Sequence, residues 1–458
     1  MYRQSLAYLS EWLQLKNRKP LLIQGARQVG KSTLVRLLAI QSKLELVELN
    51  LKRNPELATL FKSNNPHKII QLISIQTGKN IESGQTLLFI DEVQEVTEAI
   101  VALRYFYTEL PTLHVVAAGS LLEFAFTTTN LSTLGGQIEH LYLGPMSFVE
   151  FLLAINAQSL ADFIQSYHLD EEIPQPIHTK LMELIKVYFI TGGMPESILA
   201  YFGDNTFKAC EKVKQSILVT YRDDFGKYAS LTKHDLIRKV FTKIPAMIGN
   251  KFKYSNISRD IKPALIATAL EQLYLAKIVW KVHHSSANRI PLSVEQNDRF
   301  FKVLFLDIGL VSTNLGINYL NLLEANELNL VNSGSLTEQF IGQHLLYVKN
   351  TSVEPELHYW AREKKSAAAE LDYVINLGNQ IIPIEVKAGK TGRMKSLHLF
   401  LREKQGRLGV RFNSAPPSLM DAHSKLVDGS QIHFKFLSLP LYLVSELNRL
   451  VAKIDYIP

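Results

Sequence analysis

The sequence predicts an α/β chain in three parts: a parallel-sheet domain, a mainly helical middle, and a second α/β region at the C-terminal end. Three observations support this. Short apolar runs alternate with helical patterns over the first ~200 residues. The pattern then turns helical and ends in two strands joined by a polar segment. Strand-like runs return after residue 350. The length of 458 residues, 47% hydrophobic and 20% charged, gives enough apolar material for several cores. We place the boundaries at 1–204, 205–331 and 332–458.

In the first part, the expected strands are Pro20–Gln24, Leu46–Leu51, Thr86–Ile90, His114–Ala118 and Ile138–Leu143. Such continuous apolar runs suit strands buried on both faces of a parallel sheet. In the middle part, Asp235–Ile248 and Ile261–Leu275 carry apolar residues at helical spacing. The strand-like runs Ala276–Val282 and Phe300–Phe305 follow, so the expectation is a winged helix-turn-helix. In the last part, Leu336–Val348 reads as a helix, and Leu357–Trp360, Leu371–Leu377 and Ile381–Val386 read as strands. Helices are expected from Thr391.

A single cysteine, Cys210, excludes an internal disulfide and a cysteine zinc site. The N-terminal stretch lacks the apolar core of a secretion signal, and no apolar run reaches the length of a membrane span. The expectation is a cytoplasmic protein without a membrane partner. The net charge of +7 is compatible with a polyanion such as DNA. Arg259 and Lys262, flanked by Lys251, Lys253, Arg289, Arg299 and Lys302, are the candidate phosphate contacts of the middle part. The 13 histidines show no metal-binding spacing.

The chemistry centres on Gly25-Ala26-Arg27-Gln28-Val29-Gly30-Lys31-Ser32, followed by Thr33, between an apolar strand and a helical run. This is a P-loop. Its glycines let backbone N–H groups converge on phosphate oxygens at a helix N-terminus. Lys31 would reach the β- and γ-phosphates, and Ser32 would hold Mg2+. Asp91, at the end of Leu87–Asp91, would order Mg2+ through water, and Glu92 would polarise the attacking water. The expected cofactors are therefore ATP and Mg2+, and the expected reaction is hydrolysis. Ser120, after the fourth strand, is a candidate contact to the γ-phosphate. Arg104 is the candidate for the arginine that neutralises transition-state charge, presented by a neighbouring subunit; Arg27 and Arg222 are weaker candidates.

Together these residues resemble the prokaryotic AAA+ superfamily ATPases with a restriction-endonuclease-like C-terminal domain. The resemblance rests on the P-loop, Ile90-Asp91-Glu92-Val93-Gln94, Leu103-Arg104-Tyr105-Phe106 and Ala118-Gly119-Ser120-Leu121-Leu122. It extends through Leu143–Phe148, Thr191-Gly192-Gly193-Met194-Pro195-Glu196 and Phe305-Leu306-Asp307-Ile308-Gly309-Leu310. It implies an ATP-driven, oligomeric machine, with a hexameric ring as one form. Gly136-Gln137 departs from the Gly-Arg expected of the group, so no nucleotide-sensing role carries over to position 137.

At the C-terminal end, Asp372 is followed after twelve residues by Glu385-x-Lys387. Glu385 and Lys387 project from one face of a strand. Two carboxylates can hold Mg2+, and the metal with the lysine can activate water against a phosphodiester. The set resembles a PD-(D/E)xK nuclease site, with Glu338 matching the acidic residue such folds add from the preceding helix. The functional expectation is a DNA-binding ATP-driven motor or remodeler acting on duplex or branched DNA. Two alternatives stand beside it: a nucleotide-dependent switch whose last domain binds without cutting, and an ATP-gated nuclease.

Overall fold

A computed structural model of the chain describes residues 1–120, 122, 136–204, 206–225, 231–317, 333–348, 351–362, 368–389, 394–425 and 431–454. Residue 121, the linker residue 332, and the start of the helical segment expected from Thr391 lie outside the described residues. Contacts divide the chain into two units. The first is Met1–Gly144 with the short returns Leu275–Lys277 and Asn350–Pro355; the second holds the remainder.

The apolar runs of the first unit form strands β1 (Leu21–Gln24), β2 (Glu45–Asn50), β3 (Thr86–Asp91), β4 (His114–Gly119) and β5 (Glu139–Tyr142). They pair in the order β2-β3-β4-β1-β5, all parallel. Parallel neighbours cannot be joined by tight turns, so helices such as Lys31–Ser42 and Thr97–Glu109 carry the crossovers. Every residue of β1, β3 and β4 is buried, which explains the apolar runs Leu21–Ile23, Leu87–Ile90 and Val115–Ala118 within them. Leu22, Val47, Leu88, Ile90, Val115 and Ala117 pack with Phe61, Ile69, Ile100, Leu103 and Phe106 in one core. Fully burying each of the larger side chains stabilises the fold by roughly 1.5–3 kcal/mol. The returns complete this unit: Tyr142 N–H donates to the Thr351 carbonyl at 2.8 Å, and Lys277 pairs with Glu354 at 2.7 Å.

The second unit is built on an eight-stranded mixed sheet. Its strands are β6 (Val279–Ser285), β7 (Gln296–Phe305), β8 (Leu357–Arg362), β9 (Ala369–Leu377), β10 (Gln380–Val386), β11 (Leu408–Asn413), β12 (Ser418–Lys425) and β13 (Gln431–Pro440). The order is β12-β13-β11-β10-β9-β8-β6-β7. The helix Lys395–Lys404 packs on β9 to β12, where Leu397, Phe400 and Leu401 meet Trp360, Leu371, Phe434 and Phe436. The helix Ser333–Val348 packs against β7, β8 and β10.

Three features of this unit depart from the sequence reading. The hairpin β6–β7, which the sequence reading assigned to the middle part, joins the C-terminal sheet, because β6 pairs in parallel with β8. The segment from Pro145 to residue 204 likewise belongs to the second unit, so the contacts divide the chain at 144/145 rather than 204/205. Strand β7 is also longer than its apolar part, since Gln296–Arg299 are polar residues of a sheet edge. Among the described residues, no helix is long and apolar enough to cross a membrane.

Two motifs far apart in sequence meet at one buried carboxylate. Asp307 accepts the Gly193 N–H at 2.6 Å and, as N-cap of the helix Ile308–Asn314, the Leu310 N–H at 3.1 Å. Burial pushes this carboxyl up, and the two backbone donors oppose that shift. The approach is so close that a Cβ on Gly192 would lie 2.1 Å from Asp307 Oδ1, and one on Gly309 2.6 Å from the Gly192 nitrogen. These glycine motifs are thus a structural joint. Asp307→Ala leaves the buried N–H groups of Gly193, Leu310 and Gly309 without this acceptor and is expected to cost about 2–5 kcal/mol. Denaturant unfolding checks it; a midpoint equal to wild type would refute the joint.

Candidate active site

The P-loop leaves the carboxyl end of β1 and turns into the helix Lys31–Ser42 at Gly30, whose φ of 98° is left-handed. Gly25 has no room for a side chain: its Cβ would lie 2.2 Å from the Leu143 carbonyl. Lys31 is buried and donates to the Gly25 and Ala26 carbonyls, both at 2.9 Å. Two of its three ammonium protons are held by the loop itself. Burial pushes its pKa down to about 8, with Glu92 and Asp91 working against that shift.

Asp91 closes the site from β3. Ser32 Oγ donates to Asp91 Oδ2 at 2.9 Å, Asn50 Nδ2 donates to the same oxygen at 3.2 Å, and the Glu92 N–H donates to Oδ1 at 3.0 Å. Burial raises the Asp91 carboxyl, and the Ser32 hydrogen bond pulls it back. Glu92 sits at a left-handed φ of 54°, and its Oε2 accepts from Gln94 Nε2 at 2.5 Å. Gln94 in turn approaches Gly119 so closely that a Cβ there would lie 2.5 Å from Gln94 Oε1. Gly119 therefore gives Gln94 the space to hold Glu92.

Ser120 is buried at the end of β4 and accepts from Arg27 Nε at 3.3 Å. Arg27 is near enough to Lys31 for its charge to lower the lysine's pKa. The fold thus gathers Lys31, Ser32, Asp91, Glu92, Arg27 and Ser120. It does not bring in Arg104, which lies half-buried on the helix Thr97–Glu109 with its guanidinium 5.5 Å from the Tyr105 ring. Arg222 lies over Phe241 in the second unit.

Three residues at the P-loop site carried no sequence signal of their own role. Arg3, buried, donates to the Val29 carbonyl at 2.7 Å and the Gly144 carbonyl at 2.8 Å, clamping the loop from the N-terminal segment. Gln94 was visible only as a motif letter. Asn50 ends β2 opposite Asp91 in the β2–β3 register, a pairing that the sequence does not announce.

The second candidate cluster takes a different form from the expected metal site. Glu338, Asp372, Glu385 and Lys387 do converge, but Lys302 of β7 enters among them. Its Nζ lies 2.7 Å from Glu370 Oε1 and 3.7 Å from both Glu338 Oε2 and Asp372 Oδ1. Burial alone would lower Lys302, but Glu338, Asp372 and Glu370 outweigh it and hold the ammonium charged. Burial, then Asp372, pushes Glu338 up to about 8. Among the described residues, no three His, Cys, Asp or Glu side chains are placed to hold a metal ion. Lys302, expected as a phosphate contact, is only 3% exposed and is committed to these carboxylates.

Residues 17–152 match the AAA domain family, and this segment, with its P-loop and parallel sheet, is an ATPase domain of that type. Residues 182–321 and 333–419 match two domains of unknown function, DUF8612 and DUF4143. No curated protein is significantly similar in sequence to the chain. Among solved structures, the chain is similar to a Walker-type ATPase of Pyrococcus abyssi, with 14% identity and a TM-score of 0.43 over 68% of this chain and 95% of that one. It is also similar to the ORC2 protein of Aeropyrum pernix in ADPNP and ADP complexes, with 12% identity and a TM-score of 0.33 over 70% and 94%.

The depressed Lys31 sets a pH dependence. Its charge is present below about pH 8 and is lost above it, so nucleotide binding at higher pH must take up a proton. Affinity for an ATP analogue is expected to be flat near pH 7.5 and to fall by up to about tenfold per unit above pH 8. Fluorescence titration between pH 7.5 and 9.5 checks this. A flat wild-type profile across that range would contradict it.

Proposed function

We propose that the AAA-type ATPase domain makes this chain a Mg2+-dependent ATP hydrolase whose turnover does work on DNA. One contact carries the reading: the 2.9 Å hydrogen bond from Ser32 Oγ to Asp91 Oδ2. It sets the hydroxyl and carboxylate suited to Mg2+ side by side, at the carboxyl end of a parallel sheet where such folds bind ligands.

The residues divide the work as follows. Backbone N–H groups of Gly25–Ser32, at the start of the helix, hold phosphate oxygens, and Lys31 neutralises the β- and γ-phosphates. Ser32 and Asp91 would hold Mg2+, which when bound supplies charge neutralisation on the phosphates. Glu92, aimed by Gln94, accepts the proton of the attacking water. Arg27, within the loop, and Ser120, at the end of β4, are paired with each other and can hold the γ-phosphate.

Support for DNA as the partner comes from the net charge of +7 and from the exposed cations Lys253, Arg259, Lys262, Arg289 and Arg299. Assembly into a homo-oligomer, a hexameric ring in one form, is part of the proposal, since the half-buried Arg104 would act on a neighbour's nucleotide rather than on its own.

Glu92→Gln is expected to keep ATP affinity and lose about 100-fold or more in turnover; wild-type turnover would remove Glu92 as the base. Steady-state ATPase assays with single-stranded, duplex and branched DNA test the partner. Stimulation that declines with salt is expected. The absence of both binding and stimulation with all three would eliminate DNA as the partner.

A further inference from the structure

The cluster around Lys302 disagrees with the metal chemistry that its carboxylates imply, and the disagreement is informative. We propose that Lys302 is a built-in cation standing where a divalent metal would sit. On this account the second unit takes up no Mg2+ or Mn2+ at Glu338, Asp372 and Glu385, and does not cut phosphodiesters there.

Lys302 Nζ lies 2.7 Å from Glu370, 3.7 Å from Glu338 and 3.7 Å from Asp372, contacts that bring one cation to three carboxylates. A divalent ion needs oxygen ligands on several sides, and a fixed ammonium among those oxygens both occupies space and repels it. Lys302 cannot easily leave. It is one residue of a paired strand, opposite Val282 in β6, and β6 is itself locked to β8. Its side chain is 4% exposed, and its ammonium lies 5.5 Å from the centre of the Tyr359 ring.

The remaining carboxylate oxygens are partly committed as well. Asp372 Oδ2 accepts the Val386 N–H at 2.7 Å, and Glu385 Oε1 accepts Lys387 at 2.5 Å. Glu385 Oε2 is buried without a hydrogen-bond partner. An unpaired buried carboxylate oxygen is a ready ligand for a cation. An ammonium holds the carboxylates together electrostatically, but it has no open coordination position and cannot generate a metal-bound hydroxide.

The inference is independent of the ATPase reading, and nucleotide-free protein tests it. Mn2+ binding is followed by electron paramagnetic resonance for the full-length wild type, Asp372→Asn, Lys302→Met and the double variant. Wild type and Asp372→Asn should give the same isotherm. Lys302→Met should gain one site, at least about tenfold tighter than any background site, and the double variant should lose it. Mn2+ binding by wild type that disappears in Asp372→Asn would overturn the proposal. So would a Lys302→Met protein, folded by circular dichroism, that gains no site. If Lys302→Met does not fold, Lys302→Gln takes its place, and the comparison of wild type with Asp372→Asn stands alone. Mn2+-dependent plasmid cleavage by wild type that is lost in Asp372→Asn would likewise overturn it.

Discussion

Strands β1 and β3 are not neighbours; β4 lies between them, and the site depends on closing that gap. Two sheet spacings separate their ends by about 9–10 Å. The P-loop closes it by turning back at Gly30 so that the first turn of the helix brings Ser32 over the end of β4 to Asp91, where the 2.9 Å hydrogen bond forms. Everything beneath must be small or well held. Gly119, ending β4, leaves room for Gln94, and Gly25 leaves room for the Leu143 carbonyl. Lys31 and Asp91 can then be buried together, each opposing the desolvation cost of the other.

The first unit was largely legible in the sequence because its physics is local. A strand buried on both faces must be continuously apolar, so β1, β3 and β4 announced themselves. A phosphate loop needs glycine at fixed offsets, so Gly25–Ser32 did too. Arg3 was illegible because its partners, the Val29 and Gly144 carbonyls, are set by the fold and not by any spacing. Gln94 acts through a contact with Glu92 that no pattern encodes.

The second unit was harder to read, for a physical reason. Its sheet is assembled from segments separated by more than seventy residues, as in the pairing of Val282 with Leu357. An antiparallel hairpin after helices suggests a wing, but nothing in its sequence says which edge it will join. Once β6 joins β8, Lys302 on β7 faces Glu338, Glu370 and Asp372, and a residue that reads as a surface cation becomes the centre of a buried network. A charge this deep is tolerable only because several opposite charges surround it. The same logic makes Asp307, capped by Gly193 and Leu310 N–H groups, a joint between distant motifs.

On the proposed reading, Ser32 and Asp91 form the metal side of an ATP-hydrolysing site. The most direct measurement is the Mg2+ dependence of ATP turnover in wild type and Asp91→Asn, with ATP held at saturation. Asp91→Asn is expected still to bind ATP but to need at least about tenfold more Mg2+ for its half-maximal, and lower, rate. An unchanged Mg2+ curve at wild-type rate would contradict it.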